Sequence, residues 1–193
     1  MAAPGDSSST PDTAPDAASA DAGADTEPPQ WLELDVTVLD EQAWSPLPEA
    51  SDLAAAAATA LAHHPEFADE PPSLACVALA ADADVHCLNK QHRGFDKPTN
   101  VLSFPVSTET FADAVGSVSL LGDVIIAAET LHAEARQQNI SPAHHLQHLV
   151  IHGLLHLLGF DHETNDEAEE MEGLETEILA LLGIADPYAR PLP

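Results

Sequence analysis

AHHLQHLVIHGLLHLLGFDH (143–162) decides the fold, because its apolar residues recur at helical spacing from Pro142 up to Gly159. The spacing predicts a long, largely buried helix. On that helix His152 and His156 stand four residues apart, so both imidazoles leave one face at neighbouring turns and can grip one ion. A third ligand cannot follow from the same face. Gly159, however, can take a left-handed conformation, end the helix and turn the chain so that His162 joins the other two. Three neutral imidazoles leave a coordination position open for water, as catalytic zinc sites do. The histidines fit the zinc-protease pattern HExxHxxGxxH, except that its water-activating glutamate is replaced by Gly153. Gly153 is therefore expected to leave room above the metal, in a site without its customary base.

Outward from this helix, WLELDVTVLD (31–40) alternates apolar and acidic residues as a strand with one buried face does. PEASDLAAAAATALAHH (48–64) is an alanine-rich helix, SLACVALA (73–80) a buried strand and DVHCLNKQHRG (84–94) a short helix closed by glycine. NVLSFPV (100–106) and SLLGDVIIA (119–127) read as strands joined by an exposed loop. AETLHAEARQQN (128–139) and DEAEEMEGLETEILALLG (166–183) are helices on either side of the long one. The expected fold is α+β, a small mixed β-sheet packed with several α-helices, with the metal site on the long helix and its following turn.

Residues 1–30 carry six acidic residues, five prolines, no cation and no apolar residue larger than alanine after Met1. Such a segment cannot bury enough surface to offset its ordering entropy, so a disordered acidic tail is expected before a single domain over 31–188. No secretory leader and no apolar span of transmembrane length stands out, and Cys76 and Cys87 are isolated, which together suit a cytoplasmic protein. The net charge is −28 with only five Lys and Arg, and three of the five, Lys90, Arg93 and Lys97, fall within eight residues. Any polyanion is expected to be met there.

An open metal site acidifies water to about pH 7 by itself, so hydrolysis survives the missing glutamate. Amide cleavage also needs a proton for a poor leaving group, whereas a phosphodiester chiefly needs its added negative charge stabilised. Arg93 can do this, since a guanidinium holds two phosphate oxygens at once. Asp161 either caps the turn or orients a ligand, Asp123 is either a carboxylate behind the ligands or a strand-end residue, and His144, His145 and His148 are either surface residues or neighbours of a ligand. Glu163 is expected to face solvent and Met171 to pack in the core.

Three stretches, LNKQHRGFDKPTNVLSFP (88–105), LGDVII (121–126) and HGLLHLLGFDHETNDEAEEMEGLETEILALLG (152–183), together resemble the YbeY family of bacterial metal-dependent endoribonucleases. The resemblance implies one zinc ion held by His152, His156 and His162 and a role in activity for Arg93; from the clustering of cations, Lys90 and Lys97 are expected to help position an RNA strand. It further implies single-strand-specific cleavage, maturation of the 3′ end of 16S ribosomal RNA and ribosome quality control. The implied partners are a small-subunit RNA precursor and ribosomal proteins or a ribosome-associated GTPase, with no membrane involved. His92 departs from the tyrosine frequent in the family, which weakens a base-stacking role there. A zinc metallopeptidase, opposed by Gly153, and a non-catalytic ribosome-associated factor are the alternatives.

Overall fold

The computed structural model describes residues 31–106 and 118–189, together with Met1. The expected acidic tail and nearly all of the loop expected between the last two strands lie outside the described residues.

Four strands, β1 (Leu32–Val38), β2 (Ser73–Ala80), β3 (Val101–Pro105) and β4 (Ser119–Ala127), form one sheet in the order β1-β2-β4-β3. β1, β2 and β4 run parallel, and β3 pairs antiparallel with β4 at the edge. The helices are α1 (Glu41–Trp44), α2 (Ala50–Ala62), α3 (Asp82–His92), α4 (Ala128–Gln138), α5 (Pro142–Leu157) and α6 (Asn165–Leu181). This is the expected α+β arrangement with a small mixed sheet. α1 is an addition to it: the Asp40 carboxylate accepts from the N–H groups of Gln42 and Ala43, both at 2.9 Å, which stops β1 and starts a turn that buries Trp44.

One sheet face buries its residues against α2 and α5, on which α6 packs, in a core that includes Leu61, Val77, Val124, Ile151, Leu154 and Ile178. A smaller cluster of Ala80, Val85, Leu102 and Ala127 forms with α3. The placement of α5 on the sheet depends on Gly153. A Cβ there would lie 2.5 Å from Val124 Cγ1 and 3.3 Å from Ser103 Oγ, and Ser103 Oγ donates to the Gly153 carbonyl at 3.3 Å. The bare glycine therefore serves close packing against β3 and β4. The expectation that it leaves space above a metal is corrected: position 153 is buried and faces the sheet. For the same reason a glutamate at 153 would be driven into the core.

Gly159 behaves as expected. It takes φ +97° just past α5. Its N–H donates to the His156 carbonyl and that of Phe160 to the Leu155 carbonyl, both at 3.1 Å, which is the Schellman pattern. A capping box between Thr164 and Glu167 then starts α6.

Gly153→Ala should destabilise the fold by about 1–3 kcal/mol, the usual cost of overpacking a filled core. Urea unfolding checks this, and adding Val124→Ala should recover part of the loss.

Candidate metal centre

The Schellman turn after α5 does more than stop the helix. It turns the Phe160 carbonyl back toward α5, where His156 Nδ1 donates to it at 3.0 Å. His152 Nδ1 donates at 2.7 Å to Glu175 Oε1, which α6 carries in from 23 residues downstream. A carbonyl oxygen and a carboxylate can only accept, so both rings carry their proton on Nδ1 and present Nε2 to each other. The two Nε2 atoms stand 3.1 Å apart. In neutral rings these are two lone pairs face to face, an arrangement that a cation between them relieves. Two ligands at about 2.0–2.1 Å in a tetrahedral zinc site would be separated by about 3.3 Å. His162 closes the group, and one ligand atom from each of the three histidines lies within 4.8 Å of the others. Burial, with the neighbouring His152 next in effect, pushes the His156 imidazole below its ordinary pKa, which favours the neutral form that binds metal. The residues present fit a metal ion.

Glu175 escaped notice in the sequence. It is 0% exposed. His148 Nε2 donates to its Oε2 at 2.7 Å, and the Tyr188 hydroxyl donates to the same oxygen. Burial works against ionisation, yet the hydrogen bonds from His148 and His152 outweigh it and hold the Glu175 carboxyl down to about 2. The Tyr188 hydroxyl is pushed well above its ordinary value by burial and by Glu175. A cavity of ≈ 190 Å³ lined by His152, His162, Met171, Glu172, Glu175 and Tyr188 lies beside the cluster.

His148 therefore meets His152 through Glu175 and by an edge-on ring contact, with centroids 6.4 Å apart. His145, offered as a surface residue or a ligand's neighbour, is buried and bonds Glu134 Oε2 at 2.8 Å. Asp161 accepts from the backbone N–H of His162 at 2.8 Å, so it braces the turn that delivers the third ligand. Asp123 is not brought to the site. It alternates along β4 with Val124, whose side chain meets Gly153, so it points to the opposite sheet face. Glu163 is exposed and Met171 buried, as expected.

Arg93 caps α3, and its Nη2 donates at 3.4 Å to the carbonyl of Ser103, the residue whose hydroxyl bonds Gly153 beside His152. Two hydrogen bonds thus tie the arginine to the metal-site helix. Lys90 Nζ is paired with Asp96 at 2.8 Å, whereas the exposed Lys97 shares its carbonyl with the Asn89 amide at 2.8 Å. Asn100 Nδ2 donates at 2.9 Å to Glu134 Oε2, which also accepts from His145, so α4 links the end of this loop to α5.

Fold and site define a class: α+β proteins in which a helix and its Schellman turn assemble three histidines able to hold a metal with one side open. The family model described as Endoribonuclease YbeY matches residues 36–183. A protein named Endoribonuclease YbeY from Azorhizobium caulinodans is 52% identical over 162 residues, which cover 83% of this chain and 98% of that protein. One of the same name from Novosphingobium aromaticivorans is 49% identical over 82% of this chain and 95% of its own length. A solution structure of a Thermotoga maritima protein overlaps 82% of this chain and 100% of its own, with 24% identity and a TM-score of 0.48. The chain belongs to the YbeY endoribonuclease family.

Glu175→Gln keeps the volume but removes the carboxylate that aligns His152. It should weaken zinc binding by about 10–100-fold, the usual effect of losing a partner behind a metal-binding histidine. Competition with a chromophoric chelator measures this.

Proposed function

We propose that this protein is a zinc-dependent, single-strand-specific endoribonuclease acting on small-subunit ribosomal RNA precursors, in 3′-end maturation and ribosome quality control. The observation that carries the metal part is the pair of Nε2 atoms 3.1 Å apart on rings whose Nδ1 protons are already committed. A zinc ion held by His152, His156 and His162 supplies Lewis acidity and lowers the pKa of a water to about 7.

The chain's own residues do the rest. Glu175 and the Phe160 carbonyl fix the two rings, and Asp161 fixes the turn of the third. Arg93 spends one N–H on Ser103, which leaves its other donors for a phosphate. Lys97 adds charge beside it, and Lys90 contributes mainly by bracing Asp96. Gly153 argues against a peptidase, because its buried position leaves no place for the glutamate that amide cleavage by this ligand pattern uses. Ribosomal proteins or a ribosome-associated GTPase would bring so acidic a chain to RNA in the cytoplasm. Among the described residues no helix is long and apolar enough to cross a membrane.

Arg93→Ala should keep the metal and lose at least about 100-fold in cleavage of a precursor small-subunit RNA, on the scale seen when a transition-state charge stabiliser is removed. His156→Ala should lose both. Metal analysis alongside the cleavage assay separates the two. Full cleavage by a metal-free His156→Ala protein would sink the metal role, and unchanged ribosomal RNA 3′ ends in Arg93→Ala cells would favour a non-catalytic ribosome factor.

A further inference from the structure

We infer that Phe95 is a stacking platform for an unpaired nucleobase, set next to the phosphate that Arg93 holds. The inference rests on the endoribonuclease function proposed above and names the substrate feature that the loop between α3 and β3 selects.

Phe95 is 59% exposed, two residues beyond Arg93. Single exposed apolar residues are common, so its surroundings carry the case. The first is rigidity. The buried Asn89 side chain donates to the Lys97 carbonyl at 2.8 Å, Asp96 binds both Lys90 and His86 at 2.8 Å, and Asn100 is anchored to Glu134 at 2.9 Å. Bonds that tie the residues just past Phe95 to α3 and α4 thus brace the loop that holds an aromatic ring out into water, which lowers the entropy cost of using it to bind. The second is charge. Residues 90–97 hold three of the chain's five Lys and Arg and a single acid, Asp96, in a molecule of net charge −28. An anion is drawn to this loop, and an acidic or neutral protein surface has less reason to be. The third is access. Gly94, at φ +74°, has nothing within 4 Å of where a Cβ would stand, so the loop is open between Arg93 and Phe95. His92 is no substitute, because its ring packs edge-on against Phe104 with centroids 5.3 Å apart.

A cation and an exposed ring two residues apart, at most about 7 Å along the backbone, suit one strand of RNA, the phosphate on the first and a neighbouring base on the second. Stacking reads no sequence, but it requires a base that is not already stacked in a duplex. Phe95 would therefore supply the preference for single strands, while Arg93 serves the reacting phosphate.

The test uses the full zinc-loaded chain at fixed moderate salt, with a labelled single-stranded oligoribonucleotide and its duplex. Phe95→Ala should weaken binding of the single strand by about ten-fold and raise KM far more than it lowers kcat, with zinc content and melting temperature unchanged. Binding of the duplex should hardly change. Phe95→Trp should retain binding, and RNA should quench its emission; Trp31 and Trp44, at 4% and 2% exposure, are buried, so the new indole is the exposed reporter. Wild-type affinity and KM in Phe95→Ala, or an unquenched Phe95→Trp, would overturn the inference while leaving an Arg93-dependent nuclease intact. Loss of ribosome association by Phe95→Ala with unaltered RNA binding would overturn it in favour of a protein contact. If the wild type neither binds nor cleaves RNA, the endoribonuclease function fails together with the inference.

Discussion

At Gly153 the helix that carries the histidines approaches the sheet so closely that Val124 fills the volume a side chain would need, and Ser103 bonds the helix's own carbonyl at 3.3 Å. That contact sets the height of His152 and His156 above the sheet. The carbonyl of the same Ser103 accepts from Arg93, so the histidine-bearing helix and the guanidinium are registered against one strand residue. In a zinc protease the position after the first histidine contributes chemistry. Here that position is spent on packing against Val124 and Ser103.

Glu175 shows how a buried carboxylate can be kept behind a histidine cluster able to hold a metal ion. A dication on three neutral imidazoles keeps its full charge, and a carboxylate one hydrogen bond behind His152 offsets part of it. Burying an unpaired carboxylate would be costly, but this one accepts from His148, His152 and Tyr188 and so meets the condition under which buried charge is tolerated. The molecule uses positive charge as sparingly as negative charge is plentiful, and concentrates it where a phosphate would arrive.

Much of this was legible in the sequence. The long helix, the stop at Gly159 and the convergence of three histidines follow from local periodicity and from one residue's conformational freedom, and both survive without knowledge of tertiary contacts. Gly153 was misjudged because its partner, Val124, comes from a strand nearly thirty residues away. Glu175 sits among Glu169, Glu170, Glu172 and Glu177, and only its register with Met171, Ile178 and Leu179 marks it as buried. An acid in phase with an apolar stripe was the available clue. Asp123 could have been placed correctly by strand alternation, since its neighbour Val124 belongs to the buried face. His145 was obscured by its two neighbouring histidines, and its partner Glu134 lies on another helix.

The order of these residues along the chain bears on how the protein is made. The ligands span residues 152–162, but the carboxylate that aligns the first of them is at 175, and the hydroxyl that completes the carboxylate's shell is at 188. As a nascent chain leaves the ribosome, the histidines emerge before either partner, so His152 gains its carboxylate only when α6 has docked. Alignment of His152 thus depends on chain made after the histidines, and a chain ending before α6 would leave that ring without its carboxylate partner.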